Sequence, residues 1–355
     1  MSTIEIVTLF INVFFCLPSI ASVTKFDYWW IRGFDFPRIQ ISVLILLNII
    51  LAGFVYSFMQ PWHFFMLGIL IMCLIYQLSL IFPYTVLAKK QVLNYTGSEN
   101  KNQISILVSN VLMTNREYQK LIDLIELKKP DLFLTLESDE GWEQALNKLE
   151  DTYKYSVKVP LKNLYGMHLY SKLALEDMEV HYLVEEDIPS IQGFVRLENN
   201  LKAKIHCLHP RPPSPNESKT STHRDAEILL VGESIETNPK RTLVFGDLND
   251  VAWSRTTKIF QKVSGLLDPR RGRGFFNTFN AKYLLMRWPL DHVFHSDDFT
   301  LIDISRGKNI GSDHFPMYIK LNYAPEKKEE QDKLPVTEEE EEWAKEKIEK
   351  GMTSS

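Results

Sequence analysis

At 355 residues, 45% of them hydrophobic, the chain holds enough apolar material for one large domain and something more. A formal net charge of -5 excludes a protein that coats nucleic acid through bulk charge, while leaving room for local basic clusters. Three cysteines, Cys16, Cys73 and Cys207, show neither metal-ligand spacing nor a disulfide framework, so they leave the redox compartment open.

The composition divides sharply along the chain. Residues 4–23 form an almost uncharged run, with Glu5 near its start and Pro18 late in it, long enough to span a bilayer. No Lys or Arg precedes it, so it reads as a retained helix rather than a removable leader. Residues 39–59 and 64–87 form a second and a third such run, and the short Pro-containing connection between them predicts a helical hairpin. Trp29, Trp30 and Trp62 stand where interfacial aromatics belong. These runs predict a membrane anchor over residues 1–90, in contact with the lipid bilayer through three transmembrane helices. Lys25, Arg32, Arg38, Lys89 and Lys90 all fall on one side of a three-span arrangement. By the positive-inside rule, that places the rest of the chain in the cytoplasm.

From Gln103 onward, short apolar runs alternate with amphipathic segments. Strands are expected at 104–108, 132–136, 153–159, 166–170, 178–184, 191–197, 202–208, 242–245, 291–294 and 317–321. Helices are expected at 118–129, 142–149 and 222–235. Strand-helix-strand units mixed with hairpin strands predict an α/β domain with mixed sheets over residues 100–323. Pro, Glu and Lys dominate residues 324–355, and the like-charge run 338–342 predicts a solvated, disordered tail.

The stretch Leu243-Val244-Phe245-Gly246-Asp247-Leu248-Asn249 carries an apolar run into a carboxylate and an amide two residues apart. Strand alternation puts Asp247 and Asn249 on one side. A hard divalent cation suits the first and a phosphate oxygen accepts from the second. Other expected strands are bounded by Asn110, Glu137, His209, Asp291 and the pair Asp313-His314. Singly, these are ordinary caps, turn residues and surface histidines. Jointly, they occupy strand ends, where open α/β sheets gather ligands.

The series Ser109-Asn110, Leu136-Glu137, His209-Pro210, Gly246-Asp247-Leu248-Asn249, Asp291-His292-Val293-Phe294 and Gly311-Ser312-Asp313-His314 resembles the endonuclease/exonuclease/phosphatase superfamily. The resemblance runs from Gln103 to Leu321 and is most specific at Gly-Asp-x-Asn followed by Ser-Asp-His. It implies a four-layered α/β sandwich, two packed mixed sheets flanked by helices, and a hydrolase that needs Mg²⁺, with Mn²⁺ an alternative. Glu137, Asn110 and Asp313 would bind the metal. His314 would be the general base, oriented by Asp291. Asp247 would orient the attacking water, Asn249 would hold a phosphate oxygen, and His209 would donate to the phosphoryl group. Thr278 and Phe279 resemble a family segment near the site. Members that cut DNA carry a Tyr and an Arg in the middle third. Tyr165, Tyr170 and Lys172 supply no clear match, so DNA specificity is not implied. Arg211, Arg224, Arg255, Arg270, Arg271 and Arg273 are either a rim for an anionic substrate or solvated surface.

The resulting expectation is a membrane-anchored phosphoesterase acting on nucleic acid, a phospholipid headgroup or a phosphorylated small molecule. No protein partner is marked by the sequence. A membrane scaffold built on a catalytically silent domain of the same fold is the alternative, and a secreted nuclease with a removable leader is disfavoured by the uncharged hairpin.

Overall fold

The computed structural model describes residues 2–56, 58–235 and 241–354. Helix α1 (Thr3–Val23) opens with a capping box in which the side chains of Ser2 and Glu5 each accept from the other's backbone N–H. A short helix α2 (Trp29–Arg32) lies in the first loop. Helix α3 (Arg38–Val55) stops short of the expected end, and Ser57 of that expected segment lies outside the described residues. Helix α4 (Pro61–Ile81) places Pro61 in its first turn, where a missing N–H costs nothing. Three helices, Thr3–Val23, Arg38–Val55 and Pro61–Tyr84, are long and apolar enough to cross a membrane.

The three pack with their polarity inverted. Phe10 is 72% exposed and Phe54 86%, whereas Asn12 and Gln77 are fully buried between the helices. Asn12 donates to the Tyr56 hydroxyl at 2.5 Å, and Gln77 donates to Ser19 Oγ at 3.1 Å while accepting from Arg38 at 2.8 Å. A bundle folded against water would reverse this distribution.

The α/β unit begins with β1 (Gln103–Asn110), α5 (Tyr118–Lys128), β2 (Leu132–Leu136) and α6 (Glu140–Leu146). It continues through β3 (Tyr155–Val159), β4 (Met167–Ser171), β5 (Leu175–His181), β6 (Ser190–Arg196) and β7 (Lys202–Leu208). Then come α7 (Thr222–Ile235), β8 (Thr242–Asp247), α8 (Arg255–Ser264), β9 (Asp291–His295), β10 (Phe299–Arg306), β11 (Met317–Tyr323) and α9 (Glu338–Thr353). One sheet runs β10-β11-β1-β2-β4-β3 and the other β5-β6-β7-β8-β9. Period-2 alternation sorts the layers. Ile106, Val108 and Leu134 meet Ile205, Leu243 and Phe245 between the sheets. Their chain neighbours Leu107 and Phe133 turn outward onto α5 and α6, and Val244 and Phe294 onto α7, α8 and α9. The result is four layers, helix, sheet, sheet, helix.

Three departures from expectation have clear causes. The tail is not a solvated coil: Thr337 and Glu340 form a capping box, and the acidic run becomes the first turn of α9, where the helix dipole favours negative charge. Trp343, Ala344 and Ile348 then bury against α7 and α8. Lys347 and Lys350 pair with Asp27 of the first loop, joining the chain's two ends. Helix α8 was not expected, yet Ser254 caps it through Thr257 N and Gly265 ends it in the left-handed region. The expected strand at 178–184 starts earlier, at Leu175, with a register shift between Glu176 and Glu179.

Buried histidines of the α/β unit, three of them away from the strand-end cluster, resist protonation in the folded state. Burial pushes His168 down to about 4, His206 to about 3 and His295 to about 4. Above the unfolded value, near 6.5, each is neutral in both states and has no effect. As pH falls below that value the unfolded chain binds protons that the folded chain refuses, so stability drops. At pH 5 each costs about 2 kcal/mol. Raised acids such as Glu227, pushed up to about 8 by burial, act in the opposite direction, so the histidine effect is read by difference: His206→Gln is expected to lose less melting temperature than the unaltered protein between pH 7 and pH 5, and parallel profiles would contradict it.

Candidate active site

Strand direction explains why the candidate residues meet. β1 and β2 run parallel, with Asn110 beside Leu136, so their ends deliver Asn110 and Glu137 to one edge of the first sheet. β7 and β8 are also parallel, with Leu208 beside Gly246, and deliver His209 and Asp247 to the corresponding edge of the second. The antiparallel strands β9 and β11 begin where those end, which sets Asp291 opposite Asp247 and brings Asp313-His314 in just before β11.

The Asn110 amide bridges the sheets, donating to Glu137 Oε1 at 2.9 Å and to Asp247 Oδ2 at 3.1 Å. His314 donates from Nδ1 to Asp291 Oδ2 at 2.8 Å and turns Nε2 toward Asp247 Oδ2 at 3.5 Å. Asp247 Oδ1 accepts from the Asn249 backbone at 2.9 Å, and the Asn249 side chain donates to the Pro210 carbonyl at 3.0 Å. Glu137 and Asn249 both lie in the left-handed region, with φ of 55° and 50°, a conformation non-glycine residues rarely take and one that clusters at functional sites.

The electrostatics separate the titrating groups. Burial opposes charge on His314, but Asp291 and Asp247 outweigh it and push its pKa up to about 10. Burial pushes His209 down to about 4, with Asp247 and His314 acting on it in opposite directions. Burial also raises the Glu137 carboxyl to about 7. The Asn110 hydrogen bond and the His314 charge oppose that rise, while Asp313 and Asp247 add to it. Burial likewise raises Asp247.

Several supports hold these residues in place; the family resemblance marks Ser312, Thr278 and Phe279, whereas nothing in the sequence marks Arg270 as internal. Ser312 Oγ donates to the Asn110 carbonyl at 2.9 Å and accepts from His314 N at 3.0 Å, locking the two motifs together. Thr278 Oγ1 accepts from Asp291 N at 3.2 Å, and the Phe279 ring lies 5.0 Å from that of His314. Arg270 is buried, pairs with Asp268 at 2.7 Å and donates to the Asp291 carbonyl at 3.2 Å.

The arginines do not form the single rim, or the open surface, that the sequence offered. Arg270 and Arg224 are internal, Arg224 being paired with Asp225 and donating to the Asn249 carbonyl. Arg211 is tied to Glu185, Asp187 and Glu217, Arg273 binds the Val92 carbonyl, and Arg255 lies over Trp343. Arg271 lies over Tyr84. Of the middle-third candidates, Tyr170 is buried against Phe133 and Lys172 binds the Lys129 carbonyl, whereas the Tyr165 ring sits 5.3 Å from that of His209.

The donor set fits a hard divalent cation. Glu137, Asp247 and Asp313 present oxygens only, and Glu137 is held above the usual carboxylate range by burial, with the charges of Asp313 and Asp247 adding to it. Asp247, Asp291 and His314 also lie close enough to hold an ion. There, however, Nδ1 of His314 and one oxygen of Asp291 are already committed to each other.

Residues 107–314 match the model of the endonuclease/exonuclease/phosphatase family. The chain belongs to that family. The crystal structure of D. rerio TDP2 complexed with single-strand DNA product is similar at 16% identity and a TM-score of 0.52, covering 62% of this chain and 99% of that one. The human Nocturnin catalytic domain with bound sulfate matches at 15% identity and a TM-score of 0.51, over 64% of this chain and 97% of that one. An endonuclease/exonuclease/phosphatase from Beutenbergia cavernae gives 13% identity and a TM-score of 0.51, over 63% and 72%. None of the curated proteins compared with the chain matches its sequence. These likenesses carry the family's fold, while the chemistry of this member has to be argued from its own side chains.

Proposed function

We propose that the chain is a membrane-anchored, divalent-metal-dependent phosphoesterase whose helices α1, α3 and α4 span the bilayer and whose catalytic unit lies on its cytoplasmic side. The observation that carries the catalytic reading is the meeting of Asn110, Glu137, His209, Asp247, Asn249, Asp291 and Asp313-His314 from the ends of both sheets at one edge. The inverted polarity of the three-helix bundle supports the anchor.

Glu137, Asn110 and Asp313 would hold Mg²⁺, with Mn²⁺ as a substitute. The ion would supply neutralising charge to a phosphate that the acidic site otherwise repels. Water attacks phosphorus, a P–O bond forms, the ester P–O bond breaks with the leaving oxygen departing as an alkoxide that takes a proton from solvent, and the water proton passes to the protein. Asp247 orients that water, His314 held by Asp291 takes the proton, Asn249 fixes a phosphoryl oxygen and neutral His209 donates to another. The raised pKa of His314 favours a second assignment of roles, in which His314 stays a cation on a phosphoryl oxygen and Asp247 takes the proton.

The reading is tested by assaying the full-length protein in detergent on bis(p-nitrophenyl) phosphate, first metal-free and then with Mg²⁺. Metal-dependent turnover is expected. Absence of turnover on this ester, on oligonucleotides and on phospholipids would leave the scaffold reading in its place.

A further inference from the structure

The loop between Phe279 and Trp288 joins the catalytic centre to the first loop and second long helix of the anchor. Its tip, Tyr283-Leu284-Leu285-Met286, is a continuous apolar stretch open to the surroundings, with Leu284 73% and Leu285 80% exposed. The tip is held in shape from below: Asn280 N donates to the Met286 carbonyl at 2.9 Å, and Ala281 N donates to the Asp313 carbonyl at 2.6 Å. Helix α3 holds it from the side, because Gln40 Nε2 donates to the Leu285 carbonyl at 2.7 Å. Gln40 lies in the first turn of that helix, whose outward Val43, Leu44 and Leu47 are also exposed. A line of rings completes the connection, Phe36 to Trp288 at 5.7 Å, Trp288 to Phe279 at 6.1 Å and Phe279 to His314 at 5.0 Å.

The flanks of the tip are cationic. Lys282 is exposed, and the Arg287 and Arg306 guanidiniums lie over the Phe315 ring at 5.0 and 4.2 Å. Arg287 donates to the Asn280 and Ala281 carbonyls, and Arg306 to that of Asn277. None of the three forms an ion pair with a carboxylate among the described residues. Apolar side chains at a tip, with unpaired cations behind them, are the chemistry of a segment that enters a bilayer surface carrying phosphate groups. A nucleic acid would meet the cations and could stack a base on Tyr283, but would gain nothing from Leu284, Leu285 and Met286.

We propose that the tip at residues 283–286 enters the bilayer beside α3 and that the site consequently takes its phosphate ester from the membrane, as the headgroup of a lipid. This rests on the membrane-anchored phosphoesterase reading and adds the substrate class. The occupant of the apolar tip is the bilayer itself, since the loop is hydrogen-bonded to the helix at the end where that helix enters it.

The test uses full-length protein in vesicles of phosphatidylcholine and phosphatidylglycerol. In a Cys73→Ala background, a nitroxide on Leu285→Cys is expected to collide with oxygen more than with a water-soluble nickel chelate, as does one on Leu47→Cys. A label at Leu285 as open to the chelate as one on Lys101→Cys would overturn the proposal. In the second arm, the Leu284→Ser/Leu285→Ser variant is expected to hydrolyse vesicle phosphodiesters about ten-fold more slowly, while bis(p-nitrophenyl) phosphate turnover stays within about two-fold. Equal loss on both esters, no loss on either, or cleavage of oligonucleotides in preference to vesicle lipid would each overturn it. If neither ester is turned over by the unaltered protein, the phosphoesterase reading fails, and with it the lipid-substrate half of the proposal. The nitroxide depth then still decides the insertion half.

Discussion

Asp291→Asn is expected to lower kcat by about 10²- to 10⁴-fold, the range seen when the carboxylate behind a catalytic histidine loses its charge. Asp291 is buried, accepts the Nδ1 proton of His314 at 2.8 Å, and is positioned through its backbone by Thr278 and Arg270. Asparagine keeps the shape and those backbone bonds but removes the charge that sustains the His314 imidazolium and leaves an amide able to turn its N–H₂ toward the ring. In the proposed assignment, substrate binding would rest on Asn249, His209 and the metal ligands rather than on Asp291, so KM is expected to stay near its original value. Unaltered kcat in a folded Asp291→Asn protein would show that His314 is not part of the reaction.

Gly246→Ala is expected to destabilise the α/β unit by at least about 3 kcal/mol, because overpacking against backbone has no flexible neighbour to absorb it. Gly246 sits at φ 148°, and a Cβ there would stand 2.0 Å from the Leu208 carbonyl oxygen on the adjacent parallel strand. Relief requires β7 and β8 to part where they deliver His209 and Asp247, so activity is lost together with stability. A melting temperature lower by roughly 6–12 °C is expected for a unit of this size. Gly53→Ala in α3 is the control, since a Cβ at Gly53 meets nothing within 4 Å. Equal melting temperatures for both variants would contradict the close strand approach.

Much of the site was legible because its residues occupy strand ends, and strand ends are marked by where an apolar run stops. Asn110, Glu137, His209 and Asp247 are each found at such a stop, and Asp291 where such a run begins. Thr278 and Phe279, marked only by their resemblance to a family segment, touch Asp291 and His314. What periodicity did not reveal was whatever a cap, a bulge or a distant partner decides. β10 was missed because a register shift between Leu301 and Asp303 resets its alternation, so Leu301 and Ile304, rather than every second residue, join the core. Helix α8 was hidden by its short amphipathic stripe of Ile259, Phe260 and Val263. The acidic run of α9 looked solvated because the burial of Trp343 and the pairing of Lys347 and Lys350 with Asp27 depend on contacts across the whole chain, although the Thr337-x-x-Glu340 capping box that starts the helix is local. Arg270 illustrates the same limit: within a Gly/Arg loop it resembles surface, yet Asp268 and the Asp291 carbonyl make it an internal support of the site.

The central claim is that Glu137 and its neighbours hold the ion that permits phosphate-ester hydrolysis. Its most direct test is a Mg²⁺ titration of bis(p-nitrophenyl) phosphate turnover for the full-length protein and for Glu137→Gln, with melting temperatures recorded for both. The prediction is saturable Mg²⁺-dependent turnover that Glu137→Gln loses while remaining folded. Turnover independent of the metal, or the same Mg²⁺ dependence in the folded Glu137→Gln variant, would contradict it.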